Sequence, residues 1–178
     1  MENETKKILI ILPSHAFREE QYLKLREILE KGKVEVKVAS SILGDLKGQK
    51  GTYLKPDLLL EKVLVSEYDG IIFVGGAGAK ELFHDQNALF IIREAFYEGK
   101  IIAGICLGVL VLAYAGILVK KRATVCETPH LLEEHGAIYT GTSLEKDDNI
   151  ITASAASGER AISDFAQEIL KSLKEKKS

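Results

Sequence analysis

The 178-residue chain has no tryptophan, one methionine and only two cysteines. Two cysteines without zinc-type spacing exclude a disulfide scaffold and a thiolate metal centre, and fit a reducing cytoplasm. Excess charge of one sign is also lacking. The 24 basic and 26 acidic residues nearly cancel, and no block of one sign spans a segment. Nucleic acid and anionic membrane are therefore not expected partners. The N-terminal stretch is polar up to Lys7, and the apolar run Ile8–Leu12 is too short for a secretory h-region. The longest hydrophobic stretch, Ile101–Leu118, is interrupted by Gly104, Gly108 and Gly116, so it reads as strand plus buried helix rather than a membrane span. No cofactor or metal is called for. One domain over residues 1–178 is expected, long enough for a real core.

What is present is an alternation of short β-type runs with helical patterns. Lys7–Leu12 reads as a strand stopped by Pro13, Arg18–Lys31 as a helix ended by Gly32, and Val34–Ala39 as the next strand. Leu43–Leu54 reads as a turn or hairpin insertion, and Pro56–Val65 as a short helix. Gly70–Val74 reads as a strand running into Gly75-Gly76, followed by a helix from Glu81 or Asn87 to Glu98. Ile101–Ile105 then reads as a strand and Leu107–Ala115 as an apolar helix. Ala123–Cys126, Ala137–Tyr139 and Ile150–Ala153 read as strands, Pro129–His135 as a short helix, and Gly158–Lys174 as the final amphipathic helix. Strands apolar on both faces and alternating with helices predict an α/β fold with a doubly wound, mostly parallel sheet sandwiched by helices. Ligands of such sheets sit beyond the carboxyl ends of the strands. Pro13–Phe17, Gly75–Ala79, Cys106–Gly108 and Cys126–Pro129 are all expected there.

The chemistry concentrates at Lys100-Ile-Ile-Ala-Gly-Ile-Cys106-Leu-Gly108. An apolar strand ends at a cysteine framed by glycines, and a helix starts at once. This is the pattern of a nucleophile elbow, in which the turn pushes the side chain outward and the following helix aims its N-terminal dipole at it. Such a location favours the reactive thiolate. Against this stands the ordinary fate of a free cysteine, a small buried filler. Gly75-Gly76-Ala77-Gly78 supports the reactive reading: amides of Gly75 and Gly76, joined by that of Leu107, form a candidate oxyanion hole. The glycine run lacks the Lys-Ser/Thr ending of a phosphate loop, so nucleotide binding is not expected.

Five further segments carry a family resemblance: Phe73-Val-Gly-Gly-Ala-Gly-Ala, Gly99-Lys-Ile-Ile-Ala-Gly-Ile-Cys106, Leu112-Ala-Tyr-Ala-Gly-Ile-Leu118, Lys121-Arg-Ala-Thr124 and Asn149-Ile-Ile-Thr-Ala153. With Phe17–Tyr22 and Val36–Ser40, they resemble the PfpI-type intracellular protease and protein-deglycase superfamily over almost the whole chain. The resemblance implies a flavodoxin-like fold of the class I glutamine amidotransferase type, a homodimer or higher oligomer, and Cys106 as nucleophile toward a small-molecule or peptide substrate.

The partners of that nucleophile depart from the family pattern. The helix-1 glutamate of deglycase-type members falls on Gln21, with Glu20 beside it. A glutamine hydrogen-bonds but cannot serve as a carboxylate base. The protease-type histidine after the nucleophile is Leu107. The acidic residue after the double glycine falls on Lys80, with Glu81 adjacent. A histidine supplied from the strand after the elbow helix is replaced by Cys126. His15 and His130 are candidates to face the crevice, His84 to act in cis or across a dimer interface, and His135 reads as helix surface. A glutaminase is not expected, because its His-Gln after the elbow is Val109-Leu110 here and no histidine follows His135. Two functions remain. One is a cysteine-dependent enzyme acting at a carbonyl centre, by peptide or amide hydrolysis or by deglycase- or glyoxalase-like chemistry. The other is a non-hydrolytic redox-sensing or stress-response protein, in which Cys126 would resolve an oxidised Cys106.

Overall fold

The computed structural model describes residues 4–155 and 158–176. The start of the polar N-terminal stretch and Lys177 of the charged tail lie outside the described residues. In chain order the elements are β1 (Lys7–Ile11), β2 (His15–Phe17), α1 (Glu19–Lys31), β3 (Glu35–Ser40), β4 (Leu46–Gly48), β5 (Tyr53–Leu54), β6 (Leu58–Leu59), β7 (Gly70–Phe73), α2 (Gln86–Tyr97), β8 (Ile101–Ile105), α3 (Gly108–Tyr114), β9 (Arg122–Ala123), α4 (Pro129–Glu134), β10 (Ile138–Tyr139), β11 (Leu144–Asp147), β12 (Ile150–Ala153) and α5 (Glu159–Glu175).

Seven strands form the central sheet in the order β11-β12-β8-β7-β1-β3-β6. Every pairing in it is parallel except β11 with β12, where Leu144 stands opposite Ala153. The expected doubly wound, mostly parallel sheet is thus present. Its strands are apolar on both faces because each face carries its own core. Leu9, Ile11, Ile71, Phe73 and Ile102 point toward α2, α3 and α4. Ile8, Ile10, Ile72, Ile101, Ala103 and Ile105 point toward α1 and α5, meeting Leu25, Leu29, Phe165 and Ile169. This two-residue alternation produces a helix layer on both sides.

Two expectations change. Pro56–Val65 is not a helix. Asp57 takes the edge of β3 instead, its Oδ2 accepting from Val38 N at 2.8 Å and its own N–H donating to Val38 O at 2.8 Å. The segment then pairs as the edge strand β6 before a 3₁₀ turn at Leu60–Lys62. The strand expected at Ala123–Cys126 stops at Ala123, because side chains take over the pairing. Thr124 N donates to Thr152 Oγ1 at 3.1 Å and Thr124 Oγ1 to Thr142 O at 2.5 Å. His15–Phe17 forms a short strand that pairs with β4 of the predicted hairpin, giving a second sheet β2-β4-β5.

Among the described residues, no helix is long and apolar enough to cross a membrane. Nor does any group of three or more His, Cys, Asp or Glu side chains stand together to hold a metal ion.

Candidate functional site

The elbow forms where β8 ends. Cys106 adopts φ 56°, the left-handed region, and its N–H is anchored to Ala153 O at 2.8 Å. The side chain is 4% exposed. Three glycines make room for this turn. A Cβ on Gly75 would stand 2.7 Å from the Cys106 Cβ and 2.9 Å from Gln21 Oε1. A Cβ on Gly104 would stand 2.9 Å from Val109 Cα, and one on Gly108 would collide with the Phe73 carbonyl. The glycine framing visible in the sequence is therefore a packing requirement of strand, turn and helix meeting at one point.

The two sulfurs are in direct contact. Cys106 Sγ lies 2.6 Å from Cys126 Sγ, and both cysteines are free. The Cys106 thiol is drawn down from 9.0 to about 6. The leading cause is the hydrogen bond from Cys126. Burial opposes it, and the Leu107 backbone, the positive charge of Arg18 and the Gln21 side chain reinforce it. The Cys126 thiol is pushed up, by donating to Cys106 and by its own burial. The pair therefore divides its roles: Cys106 is the thiolate and Cys126 keeps its proton.

Gln21 comes from the first turns of α1 and is 1% exposed. Its Oε1 accepts from Gly75 N at 2.9 Å. That bond corrects one expectation, because the Gly75 amide is committed to Gln21 and does not face an oxyanion. The backbone of the candidate oxyanion hole contracts to Gly76 and Leu107, both of which line the cavity at Cys106. The Gln21 Nε2 is buried without a conventional hydrogen-bond partner, and the group its amide favours is the Cys106 thiolate. Gln21 is a neutral amide that favours the thiolate, not a base.

Glu20 does not reach the thiol. It turns outward and pairs with Lys50 at 3.6 Å. The buried carboxylate of α1 is its neighbour Glu19, whose Oε1 accepts from Lys50 N at 2.7 Å and Thr52 N at 3.3 Å. Glu19 thereby fixes the β4–β5 turn, which carries Gln49 to the cavity. Glu81 is likewise structural. It accepts from Ser14 N at 3.1 Å, Ser14 Oγ at 2.6 Å and Ser41 Oγ at 2.5 Å, with His15 Nδ1 at 3.2 Å. Burial pushes its carboxyl up, but these donors outweigh that and hold it below its usual range. The cluster ties the ends of β1 and β3 to the 3₁₀ turn Ala77–Leu82.

No histidine is among the residues lining the cavity. His15 is bound to the Glu81 cluster, and His130 is exposed near the start of α4. His84 and His135 pack against Tyr114, at ring-centroid distances of 5.2 and 4.4 Å. His135 is half-buried rather than on the helix surface, its Nδ1 lying 2.8 Å from Leu131 O.

The cavity holds about 190 Å³ and is lined by Arg18, Gln49, Gly76, Ala77, Lys80, Cys106, Leu107 and Glu127. Three of these lining residues, Arg18, Gln49 and Glu127, escaped the sequence reading. Glu127 adjoins Cys126, and Arg18 stands just before α1, so both carried a positional signal. Gln49 carried none, since only the hairpin's path brings it in. A half-buried guanidinium and a lysine beside a thiolate favour a polar, electron-rich ligand, and Glu127 is the only carboxylate among these lining residues.

Set beside known proteins, the chain matches the model of the DJ-1/PfpI family over residues 6–172. An uncharacterized protein of Methanocaldococcus jannaschii is 32% identical over 171 residues, 94% of this chain and 82% of its own length. A deglycase of Pyrococcus horikoshii is 32% identical over 122 residues, 68% of this chain and 66% of its own. The crystal structure of a ThiJ/PfpI domain protein from Brachyspira murdochii has a TM-score of 0.91 and 28% identity, covering 97% of this chain and 99% of that one.

Proposed function

Because the chain belongs to the DJ-1/PfpI family, we propose that it is a cysteine-dependent enzyme acting on a small carbonyl substrate, of the deglycase or glyoxalase-like kind. The observation that carries this reading is a buried thiolate, held ionised near neutral pH, opening onto a polar cavity of about 190 Å³. Such a nucleophile needs no carboxylate or histidine to take its proton before attack. That is why a neutral Gln21 suffices where a general base is missing.

In this mechanism the Cys106 thiolate adds to the carbonyl carbon. The π electrons move to oxygen, and the tetrahedral thio-adduct carries the negative charge there. In this reading the backbone N–H groups of Gly76 and Leu107, which line the cavity, donate to the developing oxyanion, and Arg18 and Lys80 of the same lining supply positive charge. Glu127 takes and returns the proton that the second half of the reaction requires, whether that half is hydrolysis of the adduct or proton transfer between adjacent carbons. A cavity of this size favours a two- or three-carbon oxoaldehyde or its adduct on an amine or thiol over an extended peptide. The name of the Pyrococcus horikoshii relative, a deglycase, supports the same choice.

The test is turnover of methylglyoxal and of a methylglyoxal-modified amino acid by the purified chain, compared with Cys106→Ser and Glu127→Gln. Loss of activity in the first variant and a large fall in kcat in the second are expected. If neither substrate is turned over while Cys106 still alkylates rapidly, the enzyme reading fails and a non-hydrolytic reactive-thiol protein takes its place.

A further inference from the structure

In the carbonyl chemistry just described Cys126 serves only as a hydrogen-bond donor to the nucleophile, yet its sulfur is in direct contact with that of Cys106. We infer that Cys126 is a resolving thiol, which converts peroxide-oxidised Cys106 into an intramolecular Cys106–Cys126 disulfide and so gives the site a reversible off state. This goes beyond the carbonyl reaction and stands whether or not that reaction occurs.

Four features of the molecule carry it. The sulfurs touch, at 2.6 Å, so the bond needs no approach of distant segments. Cys126 stands beyond the end of β9, on a stretch free of ladder pairing, where a side-chain rotation does not break a strand. The chain contains no third cysteine, so no competing intramolecular pair exists. The cavity at Cys106 is open to solvent on one side, which admits a small peroxide.

The Cys106 thiolate attacks one oxygen of a hydroperoxide. The S–O bond forms, the O–O bond breaks, and the alkoxide or hydroxide leaves. Sulfur is oxidised by two electrons to the sulfenic acid and the peroxide is reduced by the same two. The Cys126 sulfur then attacks the Cys106 sulfur. The S–S bond forms, the S–O bond breaks, and hydroxide departs with the Cys126 proton as water. An external dithiol returns the pair to two thiols, supplying two electrons and two protons. A neighbour already in contact intercepts the sulfenic acid before a second peroxide reaches it, so the irreversible sulfinic acid does not accumulate.

The experiment treats the full chain with one and then ten equivalents of hydrogen peroxide and reads intact mass, linked peptides and free thiols. The expected result is a loss of two hydrogens, a cross-linked peptide pair containing Cys106 and Cys126, and full reversal by dithiothreitol. In Cys126→Ala, treated above pH 9 so that Cys106 is ionised without its donor, the expected product is Cys106 carrying two added oxygens, not reversed by dithiothreitol. Oxygen addition on Cys106 in the unsubstituted chain while Cys126 still alkylates overturns the inference, as does a disulfide that joins two chains. The readout on the unsubstituted chain decides the matter even if Cys126→Ala fails to fold. Because mass and thiol count are independent of turnover, failure here is distinguishable from failure of the carbonyl reading.

Discussion

Replacing Gln21 with alanine separates its support of the fold from its support of the thiolate. The side chain is buried; its Oε1 accepts from Gly75 N at 2.9 Å, and its amide favours the charged sulfur of Cys106 without a conventional hydrogen bond to it. Its removal leaves the Gly75 N–H without a partner, a loss of about 1–3 kcal/mol in stability. It also removes a neutral amide that favours the thiolate. Gln21 is the smallest of the leading influences on Cys106, so a loss of about 1 kcal/mol is the appropriate scale, which raises the thiol pKa by roughly 0.7. Starting from a value of about 6, the thiolate fraction at pH 6 falls from about one half to about one sixth, roughly threefold. At a pH well above both values the two proteins converge. The assay is the pH dependence of the iodoacetamide alkylation rate, read beside the thermal midpoint. A drop in midpoint with no movement of the alkylation pKa refutes the assignment of Gln21 as a group that favours the thiolate. Gln21→Glu sharpens the test. A carboxylate keeps the Gly75 bond but places negative charge beside the thiolate, so the alkylation pKa rises further than in alanine. If Gln21→Glu lowers that pKa, the electrostatic account of the site is wrong.

Cys106→Ser sharply slows alkylation at neutral pH: Cys126 is released from its hydrogen bond to Cys106, but its burial still favours the protonated thiol; thiol titration over a pH series checks this. Arg18→Ala raises the alkylation pKa of Cys106, and added salt produces a similar but smaller rise in the unsubstituted chain. Cys106 also links stability to pH. Its folded value, about 6, lies below its unfolded value near 9.0, so its contribution is complete above 9.0 and is lost as pH falls through about 6. The difference in thermal midpoint between the unsubstituted chain and Cys106→Ser therefore grows as pH is raised across that window. Gly108→Ala drives a methyl group into the Phe73 carbonyl and destabilises by about 1–3 kcal/mol, measured by denaturant unfolding.

Much of this molecule was legible in the sequence because two simple constraints are written there. Strands buried on both faces must be apolar throughout, so β1, β7, β8 and β12 announce themselves within a residue or so of their ends. A turn in which strand, nucleophile and helix crowd together must be framed by glycine, so Cys106 could be picked out with Gly75, Gly104 and Gly108 around it. What escaped were choices between partners of similar local propensity. Glu19 and Glu20 are adjacent, acidic and helical, and only the position of the β4–β5 turn decides which is buried. Gly75 and Gly76 look equivalent, and only the reach of Gln21 decides which amide is taken. Pro56–Val65 has enough helical spacing to mislead, but the free edge of β3 claims it. The end of β9 depended on threonine side chains capturing backbone groups, which no periodicity records.

The left-handed backbone of Cys106 has a consequence for how this chain changes over generations. A side chain other than glycine at φ 56° costs about 1–2 kcal/mol, and glycine at that place relieves it. Substitutions that discard the thiol are thus not opposed by the backbone, and the simplest of them is favoured by it. In a lineage in which the chemistry stopped mattering, that backbone relief would stand against the stability the ionised, buried sulfur contributes. Glycine at 106 therefore separates the cost of this backbone turn from the worth of its sulfur.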